Sequence, residues 1–338
     1  MTQTPRLRAR PRLATQADRV LSLLTPPERA GVLKYYHVRD AKMALASALL
    51  KHYAVSKLAG VPWRATGMTR DERTKPVWRD PATGGQPVSF NVSHQAGIVA
   101  LVATTQDPAG ACPAQLGVDV VCTSERRGRD HDTVRTDGWP AFVDMHADVL
   151  APAEAAYLKH QVLSAIPRLD PARTSRAHLV DARLRSFYAL WALREAYVKL
   201  TGDALLADWL RELEFRAWRP PAPTPAWTVP AAEDEVDGGR GGQVIRKVDV
   251  RLRGRAVEDV NICLRSMGPD YMICTAARTP EDKGIALGWR LGPYEILSLE
   301  DIMQYAEASI KQTPTTTTQG EEPKQVGANQ GDEVSEPI

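Results

Sequence analysis

Hydrophobic positions along the chain recur with two periods, arranged in blocks. Between residues 25 and 60 the spacing is helical. Thr25 is placed as an N-cap, Pro26 suits a first helical position and Glu28 completes a capping box. A second helix is predicted after Asp40, through "AKMALASALLKHYAVSKLAG". Met43, Leu45, Leu49, Leu50, Tyr53 and Leu58 form its apolar face, and Gly60 stops it. From residue 87 the period falls to two. Val88, Phe90 and Val92 alternate with polar residues in "PVSFNVSH", while "GIVALVAT" and "QLGVDVVC" are β-branched runs suited to buried strands. "VNICLRS" and "YMICTAA" predict two further strands joined by a turn at "MGPD". Helices followed by strands, twice over, predict an α+β chain of two similar halves, 25–116 and 117–310, after a basic N-terminal segment at 1–24.

The segment 186–200, "SFYALWALREAYVKL", breaks the amphipathic rule. Drawn as a helix it is apolar on almost every side, with Tyr188, Glu195 and Lys199 left in one polar strip. Such a helix is buried, so the strip faces something other than bulk water. Arg194 falls among the apolar residues, with no partner readable from the sequence. Asp119 raises a similar question inside "LGVDVV". An unpaired carboxylate in a sheet centre costs several kcal/mol, so it needs a cation, a hydrogen-bond cage or an exposed strand end. Plainer readings are a turn-capping Asp119 and a solvated Glu195–Lys199 pair at i,i+4. Two sheltered carboxylates can also share one hard divalent ion, which points to phosphate chemistry.

Charge and composition add limits. Net charge is +2, which offers no global reason for nucleic-acid binding, and 43% hydrophobic with 25% charged residues is a globular balance. Cys112, Cys122, Cys263 and Cys274 show no C-x-x-C pair and read as reduced thiols of a cytosolic protein. No run approaches the ~18 apolar residues of a membrane span. Pro/Gly-rich 219–247 reads as a mobile insertion and the acidic, Thr-rich 311–338 as a disordered tail. Ser93 and His94 end a strand where they can donate to an anion. Arg70, Arg73 and Lys75 crowd before Pro76, and with Arg39 of "HVRD" they make either a polyphosphate grip or a solvated charged loop.

Taken in order, "KP" (75–76), "FNVSH" (90–94), "GVDVV" (117–121) and "FYALWALREAYVKL" (187–200) resemble the signature motifs of 4′-phosphopantetheinyl transferases of the large, monomeric, surfactin-activator type. The pattern F-x-x-x-W-x-x-(K/R)-E-A-x-x-K is filled by Phe187, Trp191, Arg194, Glu195, Ala196 and Lys199. The wider "YYHVRDAKMALASALLKH" is similar to the broad-range enzymes of filamentous fungi. The resemblance implies two fused halves about a pseudo-twofold, each with a small antiparallel-rich sheet packed by helices. It implies transfer of the phosphopantetheine arm of coenzyme A to a serine of a carrier domain, with release of adenosine 3′,5′-bisphosphate. Asp119 and Glu195 would hold Mg²⁺, with Mn²⁺ as a substitute, and His94 would contact the pyrophosphate. Asn91 and Ser93 would order that loop. Lys75 and Pro76, with Arg39, Arg70 and Arg73, would grip the 3′-phosphate end. Glu195 or a metal-bound water would take the serine proton, and Lys199 would stabilise phosphate charge.

Many members carry a third acidic ligand two positions after the motif aspartate. Val121 stands there, and water is expected in its place. The partners implied are carrier domains of fatty-acid synthase, polyketide synthases, non-ribosomal peptide synthetases and α-aminoadipate reductase, met by a cytoplasmic monomer with neither nucleic acid nor membrane. Two rivals remain: a catalytically silent coenzyme A-binding protein of the same fold, and an acyl-coenzyme A acyltransferase, which needs no paired metal carboxylates.

Overall fold

A computed structural model describes residues 17–105, 113–166, 169–203, 207–225, 244–290 and 294–311. Most of the predicted insertion, the tail from 312, Cys112 and residues 1–16 lie outside them. In chain order the helices are α1 (Asp18–Leu21), α2 (Pro26–Leu33), α3 (Val38–Ala59), α4 (Arg127–Asp137), α5 (Trp139–Asp144), α6 (Pro152–His160), α7 (Arg176–Thr201), α8 (Lys283–Gly288) and α9 (Leu299–Lys311). The strands are β1 (Thr69–Arg70), β2 (Pro76–Val77), β3 (Val88–Gln95), β4 (Ile98–Thr105), β5 (Gln115–Cys122), β6 (Leu213–Arg216), β7 (Val244–Ile245), β8 (Asp249–Leu252), β9 (Arg255–Ala256), β10 (Asn261–Met267) and β11 (Tyr271–Arg278). Among the described residues no helix is long and apolar enough to cross a membrane.

Local rules explain most boundaries. The Thr25 N–H donates to Glu28 Oε2 at 3.0 Å and its hydroxyl at 2.6 Å, which fixes the start of α2. Gly60 takes the left-handed φ of 67° that ends α3. Helix α3 starts at Val38 rather than after Asp40, so it includes Arg39, and Leu58 of the predicted apolar face is 40% exposed. The β3–β4 hairpin turns on Ala96 and Gly97, both with positive φ, as a two-residue turn matched to strand twist requires. "MGPD" closes β10–β11, with Met267 opposite Tyr271.

The architecture is layered. Val55 of α3 packs on Val88 and Phe90 of the β3–β4 ribbon. The other side of that ribbon, Ile98, Ala100 and Val102, lies on Val118, Val120 and Ile273 of the next sheet. That sheet is antiparallel throughout in the order β5-β11-β10-β7, and its far face is covered by α7 through Val121, Met272, Cys274 and Ala276. The fold is thus α+β with unequal sheets, two strands on one side of the seam and four on the other. A three-stranded sheet, β6-β8-β9, flanks the larger one.

Two segments cross the boundaries expected from the sequence. Val20, Leu21, Leu23 and Leu24, read as part of a basic leading segment, are buried against Leu45 and Leu49 of α3. Ile302, Met303 and Ala306 of α9, read with the second half, join the same cluster. Helix α9 therefore returns to complete the core of the first half. The basis is burial of apolar area, at about 25 cal/mol per Å².

Strands β3 and β5 belong to different sheets, yet the N–H groups along β5 are met. Val118 donates to Asn91 Oδ1 at 2.9 Å, Val120 to Ser93 Oγ at 3.4 Å and Cys122 to Gln95 Oε1 at 3.2 Å. Alternate residues of one strand point to one side, so three side chains replace a backbone ladder. This stitches the two parts together and sets their register.

Candidate active site

Helix α7 lies close against β5 because Gly117 permits it. A Cβ there would sit 1.9 Å from the Ala196 carbonyl oxygen and 2.6 Å from the Leu200 nitrogen. Asp119 is two residues further along the same strand face, opposite Cys274 and therefore in the middle of its strand. It is 6% exposed. Its Oδ1 accepts from Lys199 Nζ at 2.6 Å and from Ser93 Oγ at 2.9 Å, and Lys199 also donates to Ser93 Oγ at 2.9 Å. Three side chains from β3, β5 and α7 thus meet in one closed triangle. The capping-residue reading of Asp119 and the surface-pair reading of Lys199 both give way to this arrangement.

Glu195 is half-buried one turn before Lys199. Burial pushes its carboxyl above the ordinary range; the Asp119 charge pushes it further, and Lys199 opposes both. Burial likewise raises Asp119, against the pull of Lys199 and Ser93. Two carboxylates that repel each other in a sheltered place, offset by one ammonium, favour an added cation. The donors are all oxygen, which suits a hard divalent ion. Val121, at the position of a third acid, is 2% exposed in the apolar core. Among the described residues no group of three His, Cys, Asp or Glu side chains converges, so water would have to complete such a site.

The cations near Pro76 have a different setting from the one expected. Asp71 Oδ1 accepts from the backbone N–H groups of Arg73 and Lys75 at 3.0 and 2.8 Å and shapes the β1–β2 turn. Lys75 Nζ donates to the Lys199 carbonyl at 2.6 Å, and Arg73 donates to the Thr201 carbonyl. Gly202 follows with a left-handed φ of 79°, and both side chains pack beside it. The last carbonyls of α7 have no intrahelical partner, and a helix C-terminus attracts positive charge. This loop therefore caps the helix that carries Glu195 and Lys199, and burial lowers the Lys75 ammonium pKa.

Comparison with known proteins decides the family. The family profile described as 4′-phosphopantetheinyl transferase, N-terminal, matches residues 11–106, and that of the 4′-phosphopantetheinyl transferase superfamily matches residues 115–240. The 4′-phosphopantetheinyl transferase 1 of Fusarium mangiferae is 45% identical over 299 residues, 88% of this chain and 90% of that protein. The chain belongs to the 4′-phosphopantetheinyl transferase superfamily. Two further relatives are 35% identical. One is the 4′-phosphopantetheinyl transferase NpgA of Emericella nidulans, over 78% of each chain. The other is the L-aminoadipate-semialdehyde dehydrogenase-phosphopantetheinyl transferase of Schizosaccharomyces pombe, over 54% of this chain and 60% of that protein.

Of the residues selected from the sequence of this transferase, Asp119, Ser93, Glu195 and Lys199 come together. Asn91 serves β5, through the Val118 N–H, rather than its own loop. His94 is exposed and points to the opposite side of β3 from Ser93. Arg70 folds back on the Thr74 carbonyl at 2.5 Å, and Pro76 is its strand partner. Arg39, with its side chain 80% exposed, pairs with neighbouring Asp40 at 3.4 Å. None of these five joins the triangle. Tyr188 leaves the polar strip as well, donating to Asp130 at 2.5 Å.

Sequence reasoning missed three supports. Arg194 is 2% exposed and forms an ion pair with Glu154 at 2.7 Å, while also donating to the Leu210 and Leu213 carbonyls. Glu154 in turn accepts from the N–H groups of Ala151 and Phe215 at 2.9 and 2.8 Å. Gly117 and Gln95 are the others. The "GVD" spacing was the available signal for the glycine; nothing local pointed to Glu154, 40 residues before its partner.

Proposed function

We propose that this transferase binds a divalent cation, Mg²⁺ by donor chemistry and Mn²⁺ as a substitute, between Asp119 and Glu195, and moves phosphopantetheine from coenzyme A to a carrier serine. The observation that carries the reading is the buried Asp119–Lys199–Ser93 triangle with Glu195 one helical turn away. When bound, the metal would neutralise charge on the diphosphate.

The chain's own residues supply the rest. Phosphoryl transfer depends on positioning and charge stabilisation more than on covalent help from the protein. The carrier serine oxygen attacks the phosphorus next to the pantetheine arm, the bond to the bridging oxygen breaks, and adenosine 3′,5′-bisphosphate leaves. Glu195, one helical turn before Lys199 on α7, would accept the serine proton. Lys199 brings positive charge to the departing phosphate. Arg73 and Lys75 hold the end of α7, which keeps both groups in place. Both carboxylates come from one chain, so a monomer suffices.

The family acts on carrier domains. The fungal relatives favour one enzyme serving fatty-acid, polyketide and non-ribosomal peptide carriers, and the aminoadipate relatives favour α-aminoadipate reductase as another partner. The filled site supports transfer over silent coenzyme A binding. The test is a panel of apo-carriers with coenzyme A and Mg²⁺, with and without chelator, read by mass spectrometry. A gain of one phosphopantetheine arm that the chelator abolishes is expected. Coenzyme A binding with no such gain on any carrier would defeat the reading.

A further inference from the structure

We infer that Lys199 is the resident counter-ion of the metal site: its ammonium pairs with Asp119 Oδ1, and a divalent cation that takes this oxygen displaces it. The inference rests on the proposed metal position between Asp119 and Glu195. It starts from saturation of one oxygen. Asp119 Oδ1 takes the Lys199 ammonium at 2.6 Å and the Ser93 hydroxyl at 2.9 Å. Ser93 has committed its proton to Asp119 and its lone pairs to Lys199 and the Val120 N–H. Lys199 and Ser93 thus converge on one oxygen, and a cation approaching it meets the ammonium.

Like charge makes co-occupancy costly. A divalent ion on Asp119 would stand within one contact distance of an ammonium, in a place where burial weakens screening. Lys199 can leave and Asp119 cannot: their side chains are 27% and 8% exposed. The backbone of Lys199 stays anchored, because its carbonyl is held by Lys75, so only the flexible side chain needs to swing. The displaced ammonium then carries its charge toward the anionic diphosphate that arrives with the metal. Lys199 would be a positioning group before substrate binds and a phosphate partner afterwards, with one movement linking the two roles.

The test uses the full chain and Mn²⁺ alone, followed by electron paramagnetic resonance of the free ion at about pH 8, above the ordinary carboxylate range. Wild type, K199M, K199R and D119N are titrated. Removing the competing charge should tighten Mn²⁺ binding by ~tenfold or more in K199M, while K199R stays close to wild type and D119N loses the site. Equal or weaker binding in K199M, with D119N still defective, overturns the displacement and leaves the metal reading standing. Failure of the wild type to bind Mn²⁺, or indifference to D119N, overturns both. A second measurement needs no lysine substitution that might unfold the chain. In ¹⁵N-lysine-labelled wild type, the slowly exchanging ammonium signal of an ion-paired lysine should disappear at saturating Mg²⁺; its persistence would overturn the proposal.

Discussion

Gly117→Ala adds one carbon at the tightest helix–strand approach of the site. That carbon would lie 1.9 Å from the Ala196 carbonyl oxygen, 2.6 Å from the Leu200 nitrogen and 3.0 Å from the Ala196 carbonyl carbon. All three obstacles are backbone, so no rotamer change relieves them. Ordinary contact begins at 3.4 Å, and 3.4 − 1.9 gives a displacement of 1.5 Å between α7 and β5. Overpacking of this kind costs about 1–3 kcal/mol of stability. Function should suffer more, because Asp119 sits on the displaced strand and Glu195 and Lys199 on the displaced helix. A misplacement of about 1 Å can lower a rate about a hundredfold. Chemical denaturation and carrier-modification kcat/KM on the same preparation separate the two effects. The expected variant folds, with a modest stability loss and a far larger loss of turnover. A Gly117→Ala protein with wild-type stability and turnover would refute the claim that this contact sets the site.

Four other outcomes are expected. Asp119→Ala and Glu195→Ala should each retain the fold by circular dichroism while losing at least ~3 kcal/mol of transition-state stabilisation in the transfer assay. Lys75→Ala, which uncaps α7, should reduce stability by about 0.3–1 kcal/mol in denaturant titration and raise KM for coenzyme A. Glu154→Ala, which strands the Arg194 charge, should cost about 3–5 kcal/mol in thermal unfolding, whereas replacing both partners by Met should cost much less. Glu28, bonded to His52 and Thr25, has its carboxyl lowered to about 2 from 4.5. A depressed folded value contributes stability that is present above 4.5 and is lost as pH falls toward 2. The stability gap between wild type and Glu28→Gln should therefore close across that acid window.

His52 shows how a local rule reaches beyond its helix. The Thr66 hydroxyl donates to the Trp63 carbonyl at 2.6 Å, so it must accept from His52 Nδ1, while His52 Nε2 meets Glu28 at 3.0 Å. The buried imidazole thus bridges Thr66 and the same glutamate that starts α2. The sequence marked Glu28 as a capping residue. Its second partner, 24 residues away, needed the fold.

The same division runs through the whole protein. Helix starts and stops, the hairpin turn, the five longer strands and the burial of α7 follow from period, Pro and Gly placement and cap chemistry, all of them interactions within a few residues. The motif residues Asp119, Glu195 and Lys199 were visible because charges inside apolar runs are costly and therefore conspicuous. What the fold alone decided is which groups those charges meet. Lys199 was a neighbour of Glu195 in the sequence and became the partner of Asp119, 80 residues earlier. Arg73 and Lys75 were candidates for a phosphate grip, and the fold sets both against the last carbonyls of α7. Helix α9 was assigned to one half and completed the core of the other. Contacts of that range depend on how layers pack and which apolar faces remain to be covered, and no local pattern records them.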